Sequence, residues 1–155
     1  MAERLYRFVA LAALAFWIGG TTFYAIVVVP TGTRVLGGTE QGFLTEQVTR
    51  QLNWIGVVSV VLLAPSVRTS KLSAASWSAL AVTLAVLFWL HPRVAIYLDH
   101  ADRHVTDAAA FYEWHRAYLL VTALQWLAGL VHLWSLSLVA RHPPGTSPVE
   151  THNGP

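Results

Sequence analysis

The stretch FVALAALAFWIGGTTFYAIVVVPTGT, from Phe8 to Thr33, contains no Asp, Glu, Lys or Arg. Three further stretches lack these residue types, namely Gln51–Val67, Leu72–Pro92 and Ala117–Ala140. A helix rises ~1.5 Å per residue, so about 20 apolar residues cross the ~30 Å hydrocarbon core of a bilayer. The four stretches therefore predict an all-α integral membrane protein.

The predicted fold is a four-helix transmembrane bundle with short loops and a disordered C-terminal tail. The predicted spans are Leu5–Val29, Gln51–Val67, Leu72–Leu90 and Ala109–Val139. Pro30 is expected to end the first helix because proline disrupts helix interiors, and the glycine-containing segment Thr31–Glu46 is expected to be a loop. One domain covers residues 1–140. Residues 141–155 are the tail, since they contain four Pro and two Gly without apolar periodicity.

Composition narrows the function classes. Only 12% of the residues are charged, whereas soluble domains usually have about 25%. The chain has no cysteine, which excludes disulfides and thiolate metal sites. The net charge of +2 comes from scattered basic residues, so nucleic-acid binding has no support. Lys and Arg are shared equally between the two membrane sides, but Arg4 and Arg7 adjoin the first span. We therefore expect both termini to be cytoplasmic.

A polar stripe follows one face of the fourth span. At 100° per residue, that face carries His115, Tyr118, Thr122, Gln125, Gly129 and His132. The stripe must face the bundle interior, because hydrocarbon offers no hydrogen-bond partners. Two interpretations stay open. The stripe residues either make hydrogen bonds that hold neighbouring helices together or form one wall of a cofactor or substrate pocket.

The pocket interpretation assigns roles to particular side chains. His115 and Arg116 are the predicted catalytic residues, with His115 as base or hydrogen-bond donor and Arg116 or Arg93 stabilising an anionic oxygen. The predicted substrate-binding residues are Trp17, Tyr24, Arg93, Tyr118, Thr122, Gln125 and Trp126. An apolar pocket with few polar groups is typical of small-molecule sites. The sequence thus predicts a lipophilic aromatic or quinone-like ligand.

Histidines near the end of the third span form a second candidate site. If Arg93–Val105 is helical, as its spacing suggests, His100 and His104 are i,i+4 neighbours that can share a metal ion. His91 and His115 are expected at the same membrane surface. The predicted metal ligands are therefore His91, His100, His104 and His115, for a transition metal or haem. The alternative is a solvated loop of paired charges.

Gly19–Pro30 (GGTTFYAIVVVP) and Phe111–Tyr118 (FYEWHRAY) carry a family resemblance. The first resembles the end of helix one in the anthrone-oxygenase-like family of small four-span membrane proteins, and the second resembles that family's entry to helix four. In this chain Trp114, His115 and Arg116 are contiguous, whereas the family spaces them further apart. The resemblance implies a four-span bundle but leaves the activity open, since most members have no established activity.

Three functions remain open on the sequence. The first is an oxidoreductase or binding protein for a lipophilic small molecule, and the second is a metal or haem protein in transport, tolerance or electron transfer. The third is a non-catalytic assembly subunit, whose partners would be other membrane subunits or further copies of this chain. The third predicts a bundle without a pocket.

Overall fold

The computed structural model describes residues 1–141, with side chains described for residues 1–138. Four helical segments are long and apolar enough to cross a membrane, and they extend over Ala2–Leu36, Gly38–Arg68, Lys71–Ala95 and Ala108–Leu138. The prediction of an all-α four-helix transmembrane bundle is confirmed, and 88% of the structure is helical. Apart from Arg141, which ends the last helix, the predicted tail over residues 141–155 lies outside the described residues.

The elements are, in chain order, α1 (Ala2–Phe23), a π turn (Tyr24–Val28), α2 (Val29–Leu36), α3 (Gly38–Leu63), a 3-10 turn (Ala64–Arg68), α4 (Lys71–Ala95), β1 (Leu98–Asp99), β2 (His104–Val105) and α5 (Ala108–Arg141). The Ser70 hydroxyl caps α4 by accepting the Ser73 N–H at 3.0 Å. Asp107 caps α5 by accepting the Ala110 N–H at 3.1 Å.

The first span does not end at Pro30, so that prediction was wrong. Pro30 lies in the first turn of α2, which follows α1 through the π turn. Proline lacks an N–H and crowds the carbonyl group four residues earlier, so an α-helix must adjust around it. The wider π turn provides this adjustment without breaking the span. The helix ends instead at Gly37, whose φ of 86° lies in the left-handed region.

The loop predicted over Thr31–Glu46 is mostly helical, which is a second correction. α3 starts directly after Gly37 and continues for 26 residues. The span predicted over Gln51–Val67 therefore begins earlier, and its last residues, including Pro65, form the 3-10 turn. Packing between α2 and α3 outweighs the weak helix propensity of the glycines in this segment.

The segment Arg93–Val105 was expected to be helical; its first three residues end α4, and the rest instead forms a hairpin. β1 and β2 pair antiparallel, with Leu98 opposite Val105 and Asp99 opposite His104. The Asp99 carboxylate accepts two backbone N–H groups within the turn, at 2.8 and 3.1 Å. Such side-chain bonds to the backbone favour turns over helices.

The bundle is tightly packed in one half and open in the other. α1 packs against α3 and α5, and α4 packs against the same two helices. The packed half has a buried core that includes Leu14, Trp17, Leu63 and Leu80. Beyond Trp17, towards α2, the spans enclose a cavity. The spans predicted over Leu72–Leu90 and Ala109–Val139 lie within α4 and α5, as expected.

Candidate functional site

A cavity of about 480 Å³ lies between the spans, and all four spans contribute to its wall. It extends from Trp17 on α1 to Thr33 on α2, which is about 24 Å along the helix at ~1.5 Å per residue. Apolar groups form most of the wall surface, although polar side chains are about as numerous along it as apolar and aromatic ones. This combination is typical of small-molecule sites.

Trp17 forms the inner end of the cavity. Its indole lies between two glycines, since a Cβ on Gly56 would be 3.2 Å from Trp17 Nε1 and a Cβ on Gly129 would be 3.3 Å from Trp17 Cζ3. Both distances are shorter than ordinary van der Waals contact, which begins near 3.4 Å. The two glycines therefore fix the ring, and the ring separates the cavity from the packed core.

Three residues of the cavity wall each have one buried side-chain atom that lacks a hydrogen-bond partner. The atoms are Thr21 Oγ1, Gln41 Oε1 and Gln125 Nε2. Among residues 1–138 no other buried side-chain nitrogen or oxygen lacks a partner, and all three residues line this cavity. Leaving such an atom unsatisfied costs about 1–3 kcal/mol, so an exception points to a ligand or an ordered water.

The hydrogen bonds around Gln41 determine which end of its amide is free. The Tyr24 hydroxyl donates to Thr45 Oγ1 at 2.9 Å, and the Thr45 hydroxyl donates to the Gln41 backbone carbonyl at 2.7 Å. Since both hydroxyl hydrogens are used, the two oxygens act as acceptors for Gln41 Nε2, at 3.4 and 3.2 Å. Oε1 is therefore the free acceptor. It packs on Gly32, where a Cβ would overlap it.

His91 and Tyr118 connect three helices along the opposite wall. His91 Nε2 is 3.1 Å from the Glu46 backbone oxygen and 3.8 Å from Glu46 Oε1. Because a carbonyl oxygen only accepts, Nε2 carries the hydrogen. The Tyr118 hydroxyl accepts a bond from Asn53 Nδ2 at 3.0 Å, and its ring centroid is 6.3 Å from that of His91. All four residues line the cavity.

His115 presents an imidazole with free nitrogens to the same cavity. Phe111 stacks on its ring, with centroids 5.5 Å apart and planes within 9°. Neither ring nitrogen has a hydrogen-bond partner in the described part of the chain. The stacking fixes the plane of the ring, and the nitrogens remain able to bond to a ligand.

Most of the predicted substrate-binding residues lie together. Those that line the cavity are Trp17, Tyr24, Tyr118, Thr122 and Gln125. Arg93 and Trp126 do not. The Arg93 guanidinium stacks 3.5 Å from the centroid of the Trp89 ring, and Trp126 Nε1 donates to Thr22 Oγ1 at 2.9 Å. Of the predicted catalytic pair, His115 lines the cavity, whereas Arg116 is exposed and lies outside its wall.

The structure does not bring the four predicted metal ligands together. His91 and His115 line the cavity, but His100 and His104 belong to the hairpin. The i,i+4 relation expected for the last two was wrong, because their segment is not helical. His100 instead packs edge-on against Phe43, with ring centroids 5.1 Å apart.

Within residues 1–138, one group of three His, Asp or Glu side chains has ligand atoms within 4.8 Å of one another, and it consists of Asp99, Asp102 and His104. Asp102 and His104 are exposed. Hydrogen bonds from the backbone N–H groups of Asp102 and Ala101 lower the pKa of Asp99. The hairpin turn therefore accounts for the position of the Asp99 carboxylate.

The far end of the α5 stripe holds the helices together. His132 is fully buried, with Nε2 3.0 Å from Ser66 Oγ and Nδ1 2.9 Å from Ser76 Oγ. One turn further, Ser135 Oγ is 2.8 Å from Ser73 Oγ. The stripe therefore has two parts, since His115 to Gln125 line a pocket and His132 makes interhelical bonds.

Sequence reasoning missed three polar residues that the first half of α3 contributes to the wall. Gln41, Thr45 and Thr49 line the cavity, but they lie before the predicted span Gln51–Val67, and the first two were assigned to the loop Thr31–Glu46. Their spacing of four residues is the signal that could have identified them, because it places polar side chains on one helical face.

Comparison with protein-family models, curated proteins and solved structures found no match for this chain.

Proposed function

We propose that this integral membrane protein binds a lipophilic aromatic molecule of quinone-like or phenol-like chemistry in the interhelical cavity, and that it acts on it as an oxidoreductase. One observation carries the proposal, which is that the three unpartnered buried polar atoms all belong to residues of one cavity. A purely apolar occupant would leave each of them unsatisfied.

The three atoms are inaccessible as the structure has them, so their side chains would turn towards the cavity to meet a ligand. Once turned, they specify complementary groups on the ligand. Gln125 Nε2 is a donor and calls for an acceptor such as a ring carbonyl, whereas Gln41 Oε1 calls for a donor such as a phenolic O–H. Thr21 Oγ1 serves either role. The rings of Trp17 and Tyr24 offer faces and edges for packing against an aromatic ligand.

The proposal includes membership of the anthrone-oxygenase-like family. Membership is supported by the position of the two segments that carry the resemblance. Thr21 and Tyr24 of the first segment and His115 and Tyr118 of the second all line the cavity. The likeness therefore falls on residues around one site rather than on scattered helix surfaces.

The oxidoreductase part of the proposal rests on His115. Oxidation of a hydroquinone-type ligand releases protons and electrons, and a neutral imidazole with free nitrogens can accept a proton from a ring O–H. The sequence contains no flavin, nicotinamide or P-loop motif. Oxidation of the hydroquinone to the quinone would use an acceptor from outside the chain, such as a second quinone or dioxygen. That acceptor takes both electrons and both protons, relayed by His115, and becomes a hydroquinone or hydrogen peroxide.

Binding of three related probes tests the proposal. Naphthalene offers no oxygen, 1,4-naphthoquinone offers acceptors, and 1-naphthol offers a donor. We expect Gln125→Met to weaken naphthoquinone binding and Gln41→Met to weaken naphthol binding. Each loss should be about 2- to 10-fold, since a neutral hydrogen bond contributes about 0.5–1.5 kcal/mol. Calorimetric titration of the protein in mild detergent measures these affinities.

Gln51→Met is the matched control, because Gln51 is an exposed α3 residue that does not line the cavity. It should leave all three affinities unchanged. Naphthalene binding should not respond to either cavity variant. Equal affinities for the three probes, unaffected by Gln41→Met and Gln125→Met, would show that the cavity takes an apolar occupant and would refute the proposal.

A further inference from the structure

Exposed wall residues of the cavity lie on the first and last spans and indicate a side opening between these spans. They are Ala25 and Thr33 on one side, and Tyr112 and Leu119 of α5 on the other, and Gly38 and Thr39 at the start of α3 are also exposed. Ala25 and Leu119 lie within the uncharged stretches Phe8–Thr33 and Ala117–Ala140, whereas Thr33 and Tyr112 adjoin the charged residues Arg34 and Glu113. The part of the opening between Ala25 and Leu119 therefore faces the bilayer rather than bulk water.

The opening begins where the first span leaves α5. The last bond between them on this path is Trp126 Nε1 to Thr22 Oγ1, at 2.9 Å. The π turn starts at Tyr24, two residues later, and α2 beyond it packs against α3. The same π turn that accommodates Pro30 thus lies at the inner edge of the gap.

The hairpin packs over the water-facing end of the cavity, beside the exposed wall residues Gly38 and Thr39. Leu98 and Val105, which face each other across β1 and β2, both line the cavity. The hairpin is fastened to the start of α3, since the Arg103 guanidinium makes a two-point ion pair with the Glu40 carboxylate. Arg103 also lies 5.4 Å from the centroid of the Phe43 ring, against which His100 packs.

We infer that the ligand enters sideways from the bilayer, between the π turn and α2 on one side and α5 on the other, while the hairpin closes the aqueous route. This inference rests on the proposed function and narrows its substrate class to molecules dissolved in the membrane. A water-soluble molecule excluded from lipid would have no path to Gln125.

Carbene photolabelling in lipid vesicles tests the route without using a ligand. One reagent is an uncharged aryl diazirine dissolved in the bilayer, and the other is a sulfonated diazirine confined to water. Mass spectrometry compares labelling of Tyr118 and Gln125 on the cavity wall with labelling of Leu120 and Leu124 on the exposed face of α5. We expect the uncharged reagent to label both pairs and the sulfonated reagent to label neither.

Ala25→Trp should fill the opening and reduce labelling of Tyr118 and Gln125 by the uncharged reagent severalfold. The matched control is Ala15→Trp, because Ala15 is exposed on the same helix and does not line the cavity. Leu119→Trp closes the gap from the opposite side and serves if Ala25→Trp does not fold. Cavity labelling that survives either closing variant would overturn the inferred route.

Arg103→Ala removes the ion pair that fastens the hairpin, and we expect it to admit the sulfonated reagent to the cavity. Cavity labelling by that reagent in the unaltered protein would overturn the inference, because the aqueous route would already be open. A failure of the inferred entry route can be told apart from a failure of the proposed function. Side entry with no response to the glutamine variants would mean that the cavity admits lipid chains and that the ligand proposal fails.

Discussion

Adding one methyl group on each side of the Trp17 indole provides a test of how the inner end of the cavity is built. A Cβ on Gly129 would lie 3.1 Å from Ile18 Cδ1 and 3.3 Å from Trp17 Cζ3, and a Cβ on Gly56 would lie 3.2 Å from Trp17 Nε1. Each neighbour would have to move by a few tenths of an ångström. In either single variant the indole can shift towards the remaining glycine.

The sizes of the effects follow from two opposing terms. Replacing Gly by Ala in a helix stabilises by roughly 0.5–1 kcal/mol, whereas overpacking a core costs about 1–3 kcal/mol. Each single variant should therefore lose between about 0 and 2.5 kcal/mol of unfolding free energy. In Gly56→Ala/Gly129→Ala the ring has no side to move to, so the loss should exceed the sum of the singles by about 1 kcal/mol.

Reversible unfolding in mixed micelles measures these free energies, and Gly19→Ala is the control. Gly19 is exposed, and nothing lies within 4 Å of the place that a Cβ on it would occupy, so that variant should be neutral or stabilised. Displacing the ring should also weaken 1,4-naphthoquinone binding in the double variant. Strictly additive losses, or stabilisation in all three single variants, would refute the view that two glycines hold the indole.

Three further outcomes are expected. His132→Ala should lower stability, because it leaves Ser66 and Ser76 without their imidazole partner, but it should keep probe binding. His115→Ala should weaken probe binding or turnover with little change in stability. Calorimetry and micelle unfolding check both variants, and the reverse pattern would show that the proposed site is at the wrong depth in the membrane. Tyr118→Phe should cost about 0.6 kcal/mol and at most ~1.7 kcal/mol of unfolding free energy, since it removes one interhelical bond in a membrane, and a larger loss would show a wider network. A C-terminal reporter fusion should give a cytoplasmic signal, and a signal from the other side of the membrane would reverse the proposed orientation.

The four-span fold could be predicted because the membrane imposes it, since long uncharged stretches have few other stable arrangements. The residues at which the helices end could not be predicted. Pro30 and the glycines after it have the local character of a helix end and a loop, but a π turn and packing between α2 and α3 keep the chain helical. Hydrogen bonds to the Asp99 carboxylate likewise stabilise a turn in the segment after Arg93, where a helix was expected.

The candidate site was predictable where one helix carried the pattern. The α5 stripe from His115 to Gln125 lines the cavity, because polar side chains in a span must turn inwards. The opposite wall, where Gln41 lies, was missed because its segment was interpreted as a loop, although the four-residue spacing of its polar side chains pointed to a helical face. Arg93 lies outside the wall because it stacks on Trp89, its i,i+4 neighbour on α4, a contact that the spacing of four residues could have predicted. Arg116 is exposed on α5.

A high-resolution structure of the protein extracted with its native lipids tests the central claim most directly. The account predicts an aromatic molecule in the cavity, with one oxygen about 2.7–3.2 Å from Gln125 Nε2 and a donor at a similar distance from Gln41 Oε1. Density for an acyl chain alone, or for waters that satisfy both atoms with no organic molecule present, would contradict it.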